Sequence, residues 1–367
     1  MKIVQIIPSL ASGGAERITV DISNTQNEHN NKVFLIQIFK ANNLNNFYLN
    51  QISSNVQFVN INGKPGKIFE LMILIRLFKL LMSFKPDVVH THINLIYSLI
   101  LKICFPSVKF FHTLHNVANK ECLIIKGISL KKVIRLYYKY ELIKPITISL
   151  ESLKSYNDFY GLSNSELIPN GCNVATPTPK FNKVKDEIYS LSLDKKGIVF
   201  INIGRFSTQK NHSMLINVFN RLIKEGESLI LLIIGSGFDS DEGQKLVNNS
   251  SNGIHFLGTR ENVTDYLLNS DAFCLTSIWE GMPISLLEAL AAGCTPICTP
   301  AGGIPNVIAN EKLGFISTDF SEIEYYNIVK NYINNRDKIK KSDLINFFNQ
   351  NFNIKITVSK LEKIYLK

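Results

Sequence analysis

Two cations and two carboxylates stand out from this 367-residue sequence as a set able to grip a charged sugar derivative. Arg205 and Lys210 fall in "GRFSTQKN" (204–211), and Glu280 and Glu288, with seven residues between them, in "SIWEGMPISLLEALAAG" (277–293). A guanidinium offers a bidentate fork to phosphate oxygens and an ammonium a compact charge, so the pair suits a diphosphate. A carboxylate accepts hydrogen bonds from vicinal hydroxyls, so each glutamate can hold a diol, one on a sugar and one on a ribose. Other readings stand beside these. The cations can be solvated surface residues, Glu288 a helix-surface residue, and the two acids the acid/base pair of a glycosidase. The glycosidase reading leaves Arg205 and Lys210 without an anion.

These residues need a frame. Gly281, Met282 and Pro283 shape an irregular turn beside Glu280, and "ISLLEALAAG" reads as the helix that carries Glu288. Short apolar runs at 2–8, 32–39, 56–61, 87–92, 109–114 and 146–149 alternate with helical patterns at 14–27, 67–84 and 129–143. The second half repeats the rhythm, with strand runs at 197–204, 229–235, 254–258, 272–277 and 295–299 and helical patterns at 211–225, 261–269 and 284–292. Near-continuous apolar strands mark a parallel sheet covered on both faces. The expected fold is α/β: two doubly wound, Rossmann-like parallel-sheet domains facing a central cleft, with ligands at the C-terminal strand ends. Residues 1–172 form one domain, 173–196 a connector containing Pro177 and Pro179, and 197–349 the second domain. The last segment, about 350–367, is helical in pattern and is a candidate to fold back on the first domain.

Other strand ends hold weaker signals. Gly13 and Gly14 open the first helix, with Glu16 in its first turn, and allow close backbone approach to a phosphate or sugar. The spacing is not GxGxxG. Asn211 is placed to cap the helix after "GRFSTQK". His90, His92, His112 and His115 crowd two strand ends, but no acid or cysteine follows at ligand spacing, so structural or substrate-contacting roles are favoured over a metal site. The six cysteines show no CxxC pairing and read as reduced core residues. Residues 1–170 carry 19 Lys and Arg against 10 Asp and Glu, whereas 171–367 carry 21 against 20, so nearly all the positive excess lies in the first half. That half is expected to face something anionic: a phospholipid surface, a lipid diphosphate or a nucleic acid. The opening "MKIVQIIPSL" reads as a strand rather than a signal peptide, and no apolar run reaches membrane-span length. A cytoplasmic protein is expected.

Taken in order, "GGAER", "DVVHTH", "TLHN", "IPNG", "GRFSTQKN", "EGMPISLLEALAAG" and "TPAGGIP" resemble the retaining nucleotide-sugar glycosyltransferases of family 4, which have the GT-B fold. The resemblance implies that Arg205 and Lys210 bind the donor diphosphate and stabilise the leaving nucleotide. By the same resemblance Glu288 holds the ribose and Glu280 the transferred sugar. Backbone groups of Gly302, Gly303 and Ile304 contact sugar or diphosphate, and Gly13–Gly14 lines the donor and acceptor side. His115 matches a position near the reacting sugar, although Asn116 stands where the family motif has Asp, which leaves the partner of His115 open. No metal or other cofactor is implied, since the basic residues take a cation's place. The implied partners are a UDP-sugar and a saccharide acceptor, polyprenyl-diphosphate-linked as in O-antigen or capsule assembly. With the basic segment 126–144, this gives peripheral association with the inner face of the cytoplasmic membrane. A nucleotide-sugar 2-epimerase of the same architecture is the alternative. A nucleic-acid binder would leave the two glutamates idle.

Overall fold

Isoleucine and valine dominate β1 (Lys2–Ile7), and five of its six residues are buried, as a strand covered on both sheet faces requires. The computed structural model describes residues 1–39, 46–64, 67–122, 124–125, 128–191 and 197–367. The chain divides into two units, Met1–Gly171 with Ile354–Lys367, and Cys172–Asn353.

In the first unit β1 is followed by α1 (Gly14–Glu28), β2 (Lys32–Phe39), β3 (Gln57–Gly63), α2 (Lys67–Phe84), β4 (Val88–His92), α3 (Ile96–Cys104) and β5 (Lys109–Leu114). Then come α4 (Ala118–Glu121), the short hairpin β6 (Ile124–Ile125) and β7 (Ile128–Ser129), α5 (Lys131–Lys139), β8 (Lys144–Thr147), α6 (Leu150–Tyr160) and β9 (Glu166–Leu167). Seven strands run in the order β3-β2-β1-β4-β5-β8-β9, each pair parallel. The winding reverses between β1 and β4, where doubly wound sheets bind ligands.

The second unit contains α7 (Phe181–Leu191), β10 (Ile198–Ile203), α8 (His212–Lys224), β11 (Leu229–Ile234), α9 (Asp241–Asn248), β12 (Ile254–Gly258), α10 (Val263–Leu268) and β13 (Ala272–Leu275). It continues with α11 (Ile284–Ala291), β14 (Thr295–Cys298), α12 (Ile304–Val307), β15 (Phe315–Ile316), α13 (Glu322–Asn335) and α14 (Lys341–Asn351). Its sheet order is β12-β11-β10-β13-β14-β15, with the reversal between β10 and β13. The final helix, α15 (Ile354–Leu366), belongs to the first unit. Its residues Ile354, Val358, Leu361 and Tyr365 are buried at helical spacing. Glu362 accepts hydrogen bonds from His29 and from Asn31 at 2.9 and 2.7 Å.

Four departures from the sequence expectation have a clear local cause or consequence. The connector 173–196 contains a real helix, α7, whose Val184 and Ile188 are buried one turn apart; residues 192–196 lie outside the described residues. The strand expected at 146–149 is Lys144–Thr147, because Ser149 caps α6, its side chain accepting from Ser152 N–H. The helix expected at 129–143 is only Lys131–Lys139, and Glu141 just beyond it has a φ of 50°. Asn211 occupies the N-cap position of α8 but makes no side-chain cap; its amide instead donates to Met214 Sδ.

Candidate active site

The second unit builds its site from two strand-end loops, laced together. After β10 the chain passes through Gly204 and Arg205 into a single 3₁₀ turn, Thr208–Lys210. After β13 it passes through Thr276 and Ser277 to Glu280. Thr276 Oγ1 donates toward the carbonyls of Lys210 and Asn211 at 2.9 and 3.1 Å. Gln209 Nε2 donates to the Trp279 carbonyl, and Ile278 N–H to the Gln209 carbonyl, each at 2.8 Å. A third loop locks onto the second: Gly303 N–H donates to the Gly281 carbonyl at 2.9 Å. Gly302 has a φ of +59°, and a Cβ there would lie 1.8 Å from the Glu280 carbonyl oxygen. Only glycine satisfies both conditions.

Glu280 is 6% exposed, and its Oε1 accepts from Lys210 Nζ at 2.6 Å and from Ser277 Oγ at 2.7 Å. Its Oε2 receives no hydrogen bond from the described residues. Arg205, on the same loop as Lys210, is exposed and has no hydrogen-bond or ion-pair partner among the described residues. The site therefore holds one neutralised cation and one uncommitted cation at a single strand end. Gly281, Met282, Pro283 and Ile304 are buried around it, with Glu288 half-buried on α11. Beneath the loop, His212 is buried and its Nε2–H donates to Asn202 Oδ1 at 3.1 Å. Burial holds the His212 imidazole neutral, its pKa lowered to about 4.

The first unit places its polar groups differently. Gly13 caps α1 in extended conformation, with the folded-back Glu16 carboxylate standing where a Cβ would project; that carboxylate accepts from Ser9 Oγ at 3.3 Å. At the neighbouring strand ends a chain of buried side chains crosses the sheet. Gln5 Nε2 donates to Gln26 Oε1 at 2.9 Å, which turns Gln5 Oε1 toward His92 Nε2, also at 2.9 Å. His92 must then carry its proton on Nε2, leaving Nδ1 as an acceptor. His115 Nε2, 2.9 Å from that Nδ1, is consequently the donor, and the His115 lone pair resides on Nδ1. Burial holds both imidazoles neutral, His92 well below the usual range and His115 lowered to about 4. His115 thus presents an acceptor, suited to a substrate hydroxyl and unsuited to a phosphate.

A second set of bonds beside it reaches the C-terminal helix. His90 bonds through Nδ1 to Tyr365 OH of α15 and through Nε2 to Thr113 Oγ1 at 2.8 Å. His112 Nδ1 lies 2.8 Å from Tyr138 OH. The partner question raised by Asn116 resolves locally. His115 pairs with His92, and Asn116 Oδ1 accepts from Val117 N–H at 2.9 Å. The carboxyl of Glu121 faces the backbone of Asn116 and His115, which favours its charged form, but its Oε2 has no hydrogen-bond partner among the described residues, and burial pushes its pKa up to about 8. Among the described residues no group of three or more His, Cys, Asp and Glu is arranged to hold a metal.

Residues 12–176 match the family model described as Glycosyltransferase Family 4, and residues 184–346 that described as Glycosyl transferases group 1. The chain belongs to the family 4 glycosyltransferases. This glycosyltransferase is 29% identical to an uncharacterised glycosyltransferase of Methanocaldococcus jannaschii, over 68% of this chain and 64% of that one. It is 27% identical to the Escherichia coli UDP-Gal:alpha-D-GlcNAc-diphosphoundecaprenol alpha-1,3-galactosyltransferase, over 82% of this chain and 80% of that one. The crystal structure of Anabaena HepE in complex with UDP and glucose superposes with a TM-score of 0.81 at 17% identity, covering 99% of each chain. The fold of the glycosyltransferase is GT-B.

Within the second unit the enzyme gathers Arg205, Lys210, Glu280 and the Gly302–Ile304 loop; Gly13, Gly14 and His115 stand at strand ends of the first. Sequence reasoning missed Ser277, Gln5, Glu121 and Tyr365. Ser277 carried a faint signal, three residues before Glu280 and just past a strand. Glu121 lies six residues after His115 but in no recognisable motif, and Gln5 and Tyr365 are joined to the site only by tertiary packing. No helix among the described residues of the enzyme is long and apolar enough to cross a membrane.

Proposed function

We propose that the enzyme transfers a hexosyl group, with retention, from a UDP-sugar to a saccharide carried on a polyprenyl diphosphate, for cell-surface polysaccharide synthesis at the inner face of the cytoplasmic membrane. The observation that carries this reading is the uncommitted Arg205 guanidinium beside the Lys210–Glu280 pair at one strand end. As the bond from the anomeric carbon to the β-phosphate oxygen breaks, charge grows on the diphosphate. Arg205 and Lys210, fixed in place, favour that charge over the ground state. The acceptor hydroxyl forms the new bond to the anomeric carbon and yields its proton to the departing phosphate. Glu280 Oε1 orients Lys210 while Oε2 accepts from hydroxyls of the transferred sugar, and Glu288 holds the ribose. His115 Nδ1 accepts from a sugar hydroxyl. The two cations supply the neutralisation that a metal ion gives elsewhere, so chelator should leave the rate unchanged.

The relatedness to an enzyme named for a diphosphoundecaprenol acceptor supports the lipid-linked acceptor. The test is incubation with UDP-hexoses and a polyprenyl-diphosphate-linked GlcNAc, with the product followed by NMR. Acceptor-dependent UDP release and an α-linkage from an α-donor are expected. Sugar isomerisation without acceptor would replace this reading with the epimerase one.

A further inference from the structure

One helix face has no explanation in the fold. In α2, Ile73, Leu77 and Leu81 point into the core, one turn apart, and are at most 1% exposed. The opposite side of a soluble helix is ordinarily polar. Here it carries Leu71, Ile75, Phe78 and Met82 at the same spacing, with Met72 beside them, and exposure reaches 59% at Leu71 and 54% at Met82. The neighbouring α3 adds Ile100 and Ile103, the latter 71% exposed. The rings of Phe78 and Phe105 meet at 5.2 Å, which makes the two helices one surface. Helix α5 borders it, since Tyr137 OH donates to the Leu99 carbonyl at 2.8 Å. Val133, Leu136 and Tyr140 are exposed there.

We propose that the α2–α3 face is the surface by which the enzyme enters an anionic lipid bilayer, with the α5 cations as its electrostatic flank. This inference rests on the lipid-linked acceptor proposed above and names the part of the molecule that meets the lipid. Contiguous apolar surface of this kind marks an interaction site, and the charge around it selects the occupant. Lys79 borders the α2 stripe, Lys85 follows the helix, and Lys132 and Lys139 lie on α5, all exposed. The only acid described on α2 is Glu70, at its start. A second copy docked face to face would bring one lysine-bordered surface against another of the same sign. A bilayer rich in anionic headgroups receives the apolar stripe among its acyl chains and the lysines at its surface. The sequence pointed to the basic segment 126–144 for this role; residues 126–127 lie outside the described residues, and the structure gives the larger apolar face to α2 and α3.

The test is co-sedimentation with phosphatidylcholine vesicles, with and without phosphatidylglycerol, at low and high salt. The wild type is compared with a triple variant, Leu71→Ser with Ile75→Ser and Met82→Ser, and with a double variant, Lys132→Gln with Lys139→Gln. The wild type should bind the anionic vesicles and keep part of that binding at high salt, where screened charges no longer contribute. The triple variant, its melting temperature unchanged, should lose at least roughly tenfold in affinity and all of the salt-resistant part. The double variant should lose only the salt-sensitive part. Wild-type binding fully retained in the triple variant would overturn this face and leave the lipid-linked acceptor standing. Failure of the wild type to bind any vesicle would overturn both the face and the membrane reading. A wild-type dimer that the triple variant dissociates, without vesicle binding, would assign the face to a second copy instead.

Discussion

The two units have related topologies, with the winding reversed beside the first strand of each, yet they equip their strand ends in opposite ways. The first buries a run of neutral imidazoles and amides, from Gln26 through Gln5 and His92 to His115. The second keeps charge: a 2.6 Å Lys210–Glu280 pair, 18% and 7% exposed, with Arg205 open beside it. A buried neutral chain fixes which atom donates and which accepts. A largely buried charged pair with an exposed cation beside it fixes potential. In the proposed function the first device orients hydroxyls and the second accepts a departing diphosphate, two tasks for one sheet architecture that differ in what fills the strand ends.

The comparison is broken most forcefully at the charged end. Lys210→Ala should lower kcat/KM by about 10²–10³ and also destabilise the fold. It leaves the Glu280 carboxylate nine-tenths buried with Ser277 as its one remaining donor, a loss of about 3 kcal/mol measurable by denaturant titration. Gly302→Ala should cost at least about 2 kcal/mol, since the new Cβ meets the Glu280 carbonyl and the loop must move. Activity should fall with stability in that variant.

The neutral end is probed by pH. His90, His92, His112, His115 and His212 all have folded-state pKa values below the usual 6.5, with burial the leading cause. The unfolded chain therefore binds more protons as pH falls through 6.5, and stability present above that pH is lost on the way down toward about 4. Melting temperature should drop steeply between neutral pH and pH 5, with proton uptake on unfolding. Glu121 acts with the opposite sign. Its pKa is raised from 4.5 to about 8, so its contribution is present at acid pH and lost as pH rises across that interval. Glu121→Gln should accordingly raise the melting temperature above pH 8 relative to wild type and change little at pH 5. The smallest effect belongs to Tyr365→Phe, which removes one buried hydrogen bond to His90, about 1 kcal/mol. Long-range ¹H–¹⁵N spectra of that variant should still show His115 as the Nε2–H tautomer, whereas Gln5→Leu should release it. A wild-type His115 protonated on Nδ1 would reverse the direction of the whole chain.

Much of this was legible in the sequence where the signal is local. Strands such as β2 and β5 are short, mostly apolar runs; after an opening lysine, the first is interrupted only by Gln37 and the second only by His112 and Thr113. The expected and observed bounds coincide at Lys32–Phe39 and Lys109–Leu114. Arg205, Lys210 and Glu280 could be nominated because each sits in a short loop just past a strand. What escaped is non-local. The path from Tyr365 to His90, and from Gln5 through His92 to His115, joins β1, β4, the β5 end and α15, elements that no sequence window contains together. Helix α7 was hidden by Pro177, Pro179 and scattered lysines, although Val184 and Ile188 kept helical spacing. The α2 surface escaped for another reason: the run at 67–84 reads as a helix, and only packing shows which side of it the described residues leave exposed.

The central claim is that Arg205 acts on the departing diphosphate rather than on donor capture. Its most direct test is the turnover of Arg205→Ala at saturating donor and acceptor, set beside the affinity of the same variant for UDP. The account predicts a fall in kcat of about 10²–10³, with UDP affinity weakened by no more than about tenfold. Full turnover accompanied by weakened UDP binding would contradict it.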